Sequence, residues 1–178
     1  MFYEVHGIDI GLCLPAVGAV IRLAFAGVAE EFHLTPRNCR YHPAFLSDSD
    51  LAVSLQRPDV ICFGALADDL LVGFAAVLPK GPDAFAPEPD KQAPQGQGTY
   101  ELTRLCVLPA HRHAGLGARL MQAALQATKE HGARRLEIGV IDANERLKAW
   151  YESHGFRATA VREYAHLPFR VCGMEREI

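Results

Sequence analysis

What this chain has little of narrows its function first. It carries no strong charge of either sign: 18 Lys plus Arg stand against 21 Asp plus Glu over 178 residues, a formal net charge of −3. Without a broad cationic surface, no nucleic-acid partner is expected. Paired cysteine spacing is also missing. Cys13, Cys39, Cys62, Cys106 and Cys172 are odd in number and scattered, which argues against a zinc ribbon or a small disulfide scaffold and fits a reducing, cytoplasmic compartment. His33, His42, His131, His154 and His166 show no metal-ligand spacing, so no metal is expected. No internal repeat is visible. The apolar stretch from Leu12 to Ala29 is interrupted by Pro15 and Arg22 with no basic segment before it, so neither membrane insertion nor export is expected.

What remains is an ordinary globular composition, 49% hydrophobic and 22% charged, at a length that suits one domain over residues 1–178. Phe2 to His6 alternates weakly as a first strand. Val17, Val20, Ile21, Ala24, Phe25 and Val28 recur at helical spacing between Pro15 and Phe32. Thr35-Pro36 and Ser47 read as starts of short helices that would form a lid rather than a core. Val60 to Ala67 and Leu70 to Leu78 are apolar runs joined by Asp68-Asp69, a hairpin signal. Lys80 to Gly98 collects prolines and glycines and reads as an irregular loop. Tyr100 to Leu108, a helix from Leu116 to His131, and Arg135 to Ile141 make a strand, helix, strand unit, which is normally parallel and right-handed. Ala143 to Ser153 is a short helix ended by Gly155, and Phe156 to Tyr164 with Pro168 to Glu177 supplies two last strands.

The turn between Leu108 and Leu116 carries the chemistry. Gly115 and Gly117 lack Cβ atoms, so several backbone N–H groups can converge there on one anion, with the positive end of the following helix aimed at the same point. A dinucleotide fingerprint wants a third glycine, and the phosphate loop of nucleotide hydrolases ends Gly-Lys-Ser/Thr. Neither is present. A structural turn and a different phosphate-bearing ligand remain.

Here the chain resembles a known family. Arg112-x-x-Gly115-x-Gly117 has the Arg/Gln-x-x-Gly-x-Gly/Ala signature of the GNAT superfamily of acyl-CoA-dependent N-acyltransferases. Glu101-Leu102-x-x-Leu105-x-Val107-x-Pro109 looks like that family's fourth strand, and Asn144-x-x-Leu147-x-x-x-Tyr151-x-x-x-Gly155-Phe156 is similar to its closing helix and turn. The resemblance covers Glu101 to Phe156. It implies an α/β fold, a splayed, strongly twisted mixed sheet of about six to seven strands flanked by helices. It also implies acetyl-CoA as co-substrate, wedged beside the fourth strand, and a primary amine of a small or amino-acid-like molecule as acceptor.

By the same resemblance, Val107 would bond the pantetheine arm through its backbone, and the N–H groups of Arg112, His113, Ala114, Gly115, Leu116, Gly117 and Ala118 would hold the pyrophosphate. Asn144 would contact the arm, cap its own helix, or both. Glu101 stands where some members keep a general base; on a regular strand residues 101, 103, 105 and 107 share one face, so Glu101 would look into the cofactor cleft unless a bulge intervenes. Its bland alternative is a surface residue or a partner for Arg104. The N–H of Leu105 is the implied oxyanion donor. Tyr151 stands where members place the tyrosine that protonates or orients the coenzyme A sulfur, against the alternative of a core aromatic beside Trp150 and Phe156. Arg112 is expected to secure the turn and neutralise phosphate, and His111 and His113 to add weak positive charge. Cys106 as a nucleophile is disfavoured, having no visible partner base. Two rival functions stay open, a non-catalytic acyl-CoA sensor and a protein acetyltransferase. Because exposed edge strands pair readily, a homodimer is the expected assembly.

Overall fold

A computed structural model describes residues 2–80 and 98–178. The expected loop from Lys80 to Gly98 therefore lies, except for its two ends, outside the described residues. The strands are β1 (Tyr3–Gly7), β2 (Ile61–Ala67), β3 (Leu70–Pro79), β4 (Thr99–Val107), β5 (Arg135–Ile141), β6 (Arg157–Arg162) and β7 (Val171–Glu177), and the helices α1 (Ile10–Glu31), α2 (Asp48–Leu55), α3 (Leu116–Glu130) and α4 (Glu145–Ser153). The strands form one mixed sheet in the order β1-β2-β3-β4-β5-β7-β6. Among the described residues, β4 and β5 are the one neighbouring pair that runs parallel, joined by the crossover helix α3, and the other neighbours run antiparallel.

Each face of the sheet carries its own core. On one, Leu116, Leu120, Met121 and Ala124 of α3 pack on Ala65, Val77, Leu102 and Leu136. On the other, Val17, Val20, Ile21 and Ala24 of α1 pack with Leu51 and Leu55 of α2 on Phe74, Ala76 and Cys106. By length and composition α1 is long and apolar enough to cross a membrane; here these four residues are buried against the sheet. Asp68 and Asp69 both take positive φ, +44° and +69°, the backbone pair of a type I′ turn whose twist suits the β2–β3 hairpin.

Several elements differ from the sequence reading. Helix α1 begins at Ile10 rather than Pro15, because the Asp9 carboxylate accepts the Gly11 N–H at 2.8 Å and caps it there. No helix starts at Thr35-Pro36. Asn38 Oδ1 accepts the Thr35 N–H at 2.7 Å while the Asn38 N–H donates back to Thr35 Oγ1 at 3.3 Å, so side chains close a local turn that competes with helix. Ser47 does start α2, through a reciprocal capping box with Asp50. The lid expectation fails for this helix. Leu51 and Leu55 are 0% and 1% exposed, so α2 is part of the core.

His42 joins this region to α1. It is buried, sits edge-on to Phe25, and accepts the Ala44 N–H on Nδ1 at 3.3 Å. Burial lowers its pKa from 6.5 to about 4. The unfolded chain therefore binds a proton that the native state refuses, and stability is lost as pH falls from about 6.5 toward 4, by about 3 kcal/mol when complete. Urea titrations at pH 7 and pH 4 should show a smaller stability difference for His42→Gln than for the wild type. An identical difference in the two proteins would refute this.

Candidate active site

The middle of β4 is irregular, and that irregularity organises everything around it. Opposite β3, Thr103 pairs with Ala76 and Cys106 with Phe74, so β4 fits one residue more than β3 between these pairs. The extra residue makes a bulge, at which Arg104 takes φ +54°. Side-chain alternation is thereby reset. Leu102 packs in the α3 core and Cys106 in the α1 core, although residues four apart on a regular strand share a face. The expectation that Glu101, Thr103, Leu105 and Val107 share one face is corrected accordingly: Leu105 and Val107 pack on the α3 side, while Glu101 and Thr103 line a cavity under α2. Leu105 has no register partner on β3 or on β5.

On its other edge β4 parts from β5. Pairing runs only from Thr99 and Arg135 to Glu101 and Glu137, and the closed end is tied by Lys80, ion-paired with Glu137. From Leu102 onward the two strands leave a wedge that opens toward the glycine turn. Backbone groups along such a wedge need partners when buried, and an amide-rich chain laid between the strands can supply them.

At the open end the backbone makes a tight glycine turn into α3. His113 and Gly115 are both left-handed, φ +64° and +76°, and Gly115 is the N-cap of α3 with no side-chain cap bond. The first-turn N–H groups at Leu116, Gly117 and Ala118 lie beyond the reach of intrahelical acceptors. Leu116, 1% exposed, anchors that turn in the core. Gly117 faces Trp150, whose Cζ2 would lie 3.4 Å from an added Cβ. A diphosphate fits this shape and its dipole.

Arg112 secures the turn, as expected of it. Its Nε donates to the Val107 carbonyl at 3.1 Å and one terminal nitrogen to the Ala24 carbonyl at 2.9 Å, while its N–H donates to Pro109 O. It bolts α1 to the end of β4. His111 is likewise engaged, its Nδ1 3.3 Å from the Tyr3 hydroxyl.

Across the wedge, α4 presents Tyr151. Asn144 is buried and its side-chain oxygen accepts the Leu147 N–H at 3.1 Å, so the capping role is realised and orients the helix. Tyr151 is 6% exposed, with ring centroids 5.0 Å from Trp150 and 5.4 Å from Phe156. The core-aromatic alternative is what these contacts show, and the charge state of Cys106 on β4 acts on the phenol. Burial first, then Cys106, pushes the phenol above its ordinary value, so it keeps its proton at neutral pH. Burial also pushes the Cys106 thiol up to about 12, which leaves no thiolate for nucleophilic chemistry.

The cavity under α2 has a volume of about 420 Å³. Glu101, Arg104 and Arg57 supply its charges, Ser54 and Thr103 its hydroxyls, and Leu55, Val60 and Leu78 apolar wall. Sequence reasoning expected Glu101 in the cleft of the cofactor arm, whereas it lines this cavity instead, and it missed Arg104 as anything but a counter-ion. The five cysteines are free thiols. Among the described residues, no group of three or more His, Cys, Asp or Glu side chains could hold a metal.

The sheet thus opens beside its parallel pair, with the glycine turn at the mouth. The family model for acetyltransferase (GNAT) proteins matches residues 27–156, and the chain belongs to that family. It is 30% identical over 82 residues to the uncharacterized N-acetyltransferase YjcF of Bacillus subtilis (strain 168), a match that covers 42% of this chain and 56% of that protein. To the uncharacterized N-acetyltransferase Rv2669 of Mycobacterium tuberculosis it is 28% identical over 121 residues, 68% of each chain. Among solved structures, the PaiA N-acetyltransferase of Thermoplasma acidophilum in complex with coenzyme A superposes with a TM-score of 0.67 at 21% identity, covering 100% of both chains. That likeness shows the fold.

Proposed function

We propose that this protein is a cytoplasmic N-acetyltransferase that moves an acetyl group from acetyl-CoA to a primary amine of a small acceptor, by direct attack with both substrates bound. The observation that carries the reading is the wedge between β4 and β5, which starts past Glu101 and leads to the left-handed turn at His113 and Gly115. Acetyl-CoA supplies an activated thioester and a diphosphate handle. Val107 would bond the pantetheine arm through its backbone, and the N–H groups from His113 to Ala118 would hold the diphosphate. Glu101 takes a proton from the incoming ammonium, directly or through water, so that the amine attacks neutral. The Leu105 N–H, in register with neither neighbouring strand, donates to the oxygen as it gains charge. Tyr151 keeps a proton to give to the departing sulfur.

The test is thiol release from acetyl-CoA over a panel of primary amines. Amine-dependent release supports the reading; binding of coenzyme A with no release for any amine would replace it with a sensor. A second check concerns the turn. In Gly115→Val a β-branched residue is forced to φ +76°, a strain of roughly 1–2 kcal/mol, which the chain relieves by rotating the N–H groups out of register. Coenzyme A affinity should fall about tenfold, with the far-ultraviolet dichroism unchanged. Unaltered affinity would remove the turn from the binding site.

A further inference from the structure

One charged group in the cavity under α2 has no role in the reaction above. Arg104 sits at the bulge with φ +54°, a conformation that costs a non-glycine residue energy. A terminal nitrogen donates to Ser54 Oγ at 3.0 Å, and its Nε is buried without a hydrogen-bond partner. The ion pairs formed among the described residues engage other cations, and none includes Arg104. Arg57, the second cation on this wall, is held by Asp59 through bonds of 3.0 Å and 2.5 Å. Desolvation pulls Arg104 below its ordinary value, and the charge of Glu101 pulls the other way.

A guanidinium drawn from water without a carboxylate against it is unfavourable, and it persists where a ligand offsets the loss. Glu101, three residues earlier on β4, lines the same space. A carboxylate and a guanidinium therefore line one cavity, the charge pattern complementary to a molecule that carries both an ammonium and a carboxylate. Leu55, Val60 and Leu78 give its carbon skeleton an apolar wall. A planar carboxylate matches the fork of a planar guanidinium better than a single point charge does.

We propose that Arg104 binds a carboxylate of the acceptor, so that the substrate class is amino-acid-like amines, held with the carboxylate on Arg104 and the ammonium toward Glu101. The inference rests on the acetyltransferase reading. It is a specificity role, separate from the proton transfer at Glu101 and from the hold that Arg104 keeps on α2 through Ser54.

The experiment compares matched acceptors, a set of α- and ω-amino acids, their primary amides and the amines lacking the carboxyl group, in wild type, Arg104→Gln and Arg104→Lys. The readouts are kcat/KM and calorimetric titration of each acceptor into protein saturated with coenzyme A. In wild type at least one acid should exceed its amide by about 10- to 100-fold, carried mainly by KM. The ratio should collapse toward one in Arg104→Gln and recover in part in Arg104→Lys, with the titrations following the same order. Turnover of amines with an acid-to-amide ratio near one in wild type overturns the proposal and leaves the acetyltransferase reading intact. A preserved ratio in Arg104→Gln, with only the melting temperature lowered, makes Arg104 a strut and overturns it as well. Absence of turnover with every amine sinks the underlying reading and this inference with it. If Arg104→Gln fails to fold, the wild-type ratio and Arg104→Lys decide.

Discussion

Glu101→Gln should lower kcat/KM for the best amine by about 10²- to 10³-fold while leaving coenzyme A affinity within twofold, the span expected for loss of one positioned proton acceptor. The substitution keeps the side chain's size and its place on the cavity wall but removes its ability to take a proton. An ammonium that cannot shed its proton has no lone pair for attack, so the deficit should shrink as pH rises and the free amine becomes abundant. A steady-state pH profile of both proteins checks this. A constant deficit across pH would assign Glu101 to binding or to its attraction for Arg104, and no deficit would remove it from the reaction.

Tyr151→Phe should lower kcat by about 10²-fold with little change in amine KM, since it deletes a hydroxyl and leaves the ring packing against Trp150 and Phe156 in place. Burial keeps that phenol protonated, which suits an acid and not a base. The loss should therefore narrow when acetyl-CoA is replaced by an acyl donor whose thiol is more acidic, because a stable thiolate needs no proton on departure. Equal losses with both donors would contradict the acid role and return Tyr151 to the core.

The two pieces of the site differ in how plainly the sequence announces them. A left-handed backbone favours glycine, so Gly115 is visible as a residue type, and Asn144 is visible as a residue type that caps helices. The β4 bulge has no such mark. It places a positive φ on Arg104, which any propensity argument reads as ordinary strand, and one inserted residue then flips every face assignment beyond it. Helix α2 shows a related limit: Leu51 and Leu55 at helical spacing reveal an apolar stripe, but their burial against Phe74 and the α1 residues depends on where the chain turns after Glu31. Turns closed by side chains, as at Thr35 and Asn38, compete with helix at nearly equal energy and leave the outcome to packing. The fold class rested on the resemblance over Glu101 to Phe156, with which the hairpin and the strand, helix, strand unit agree, and these longer patterns tolerate such local errors.

All of this depends on the amide-lined turn from His113 to Ala118 gripping a diphosphate at the mouth of the β4–β5 wedge. Isothermal titration of coenzyme A into the folded protein, paired with its thermal denaturation, measures that directly. The account predicts saturable one-to-one binding that is weakened by removing the diphosphate portion of the ligand and by Gly115→Val. Neither heat nor a shift in melting temperature at millimolar coenzyme A would contradict it.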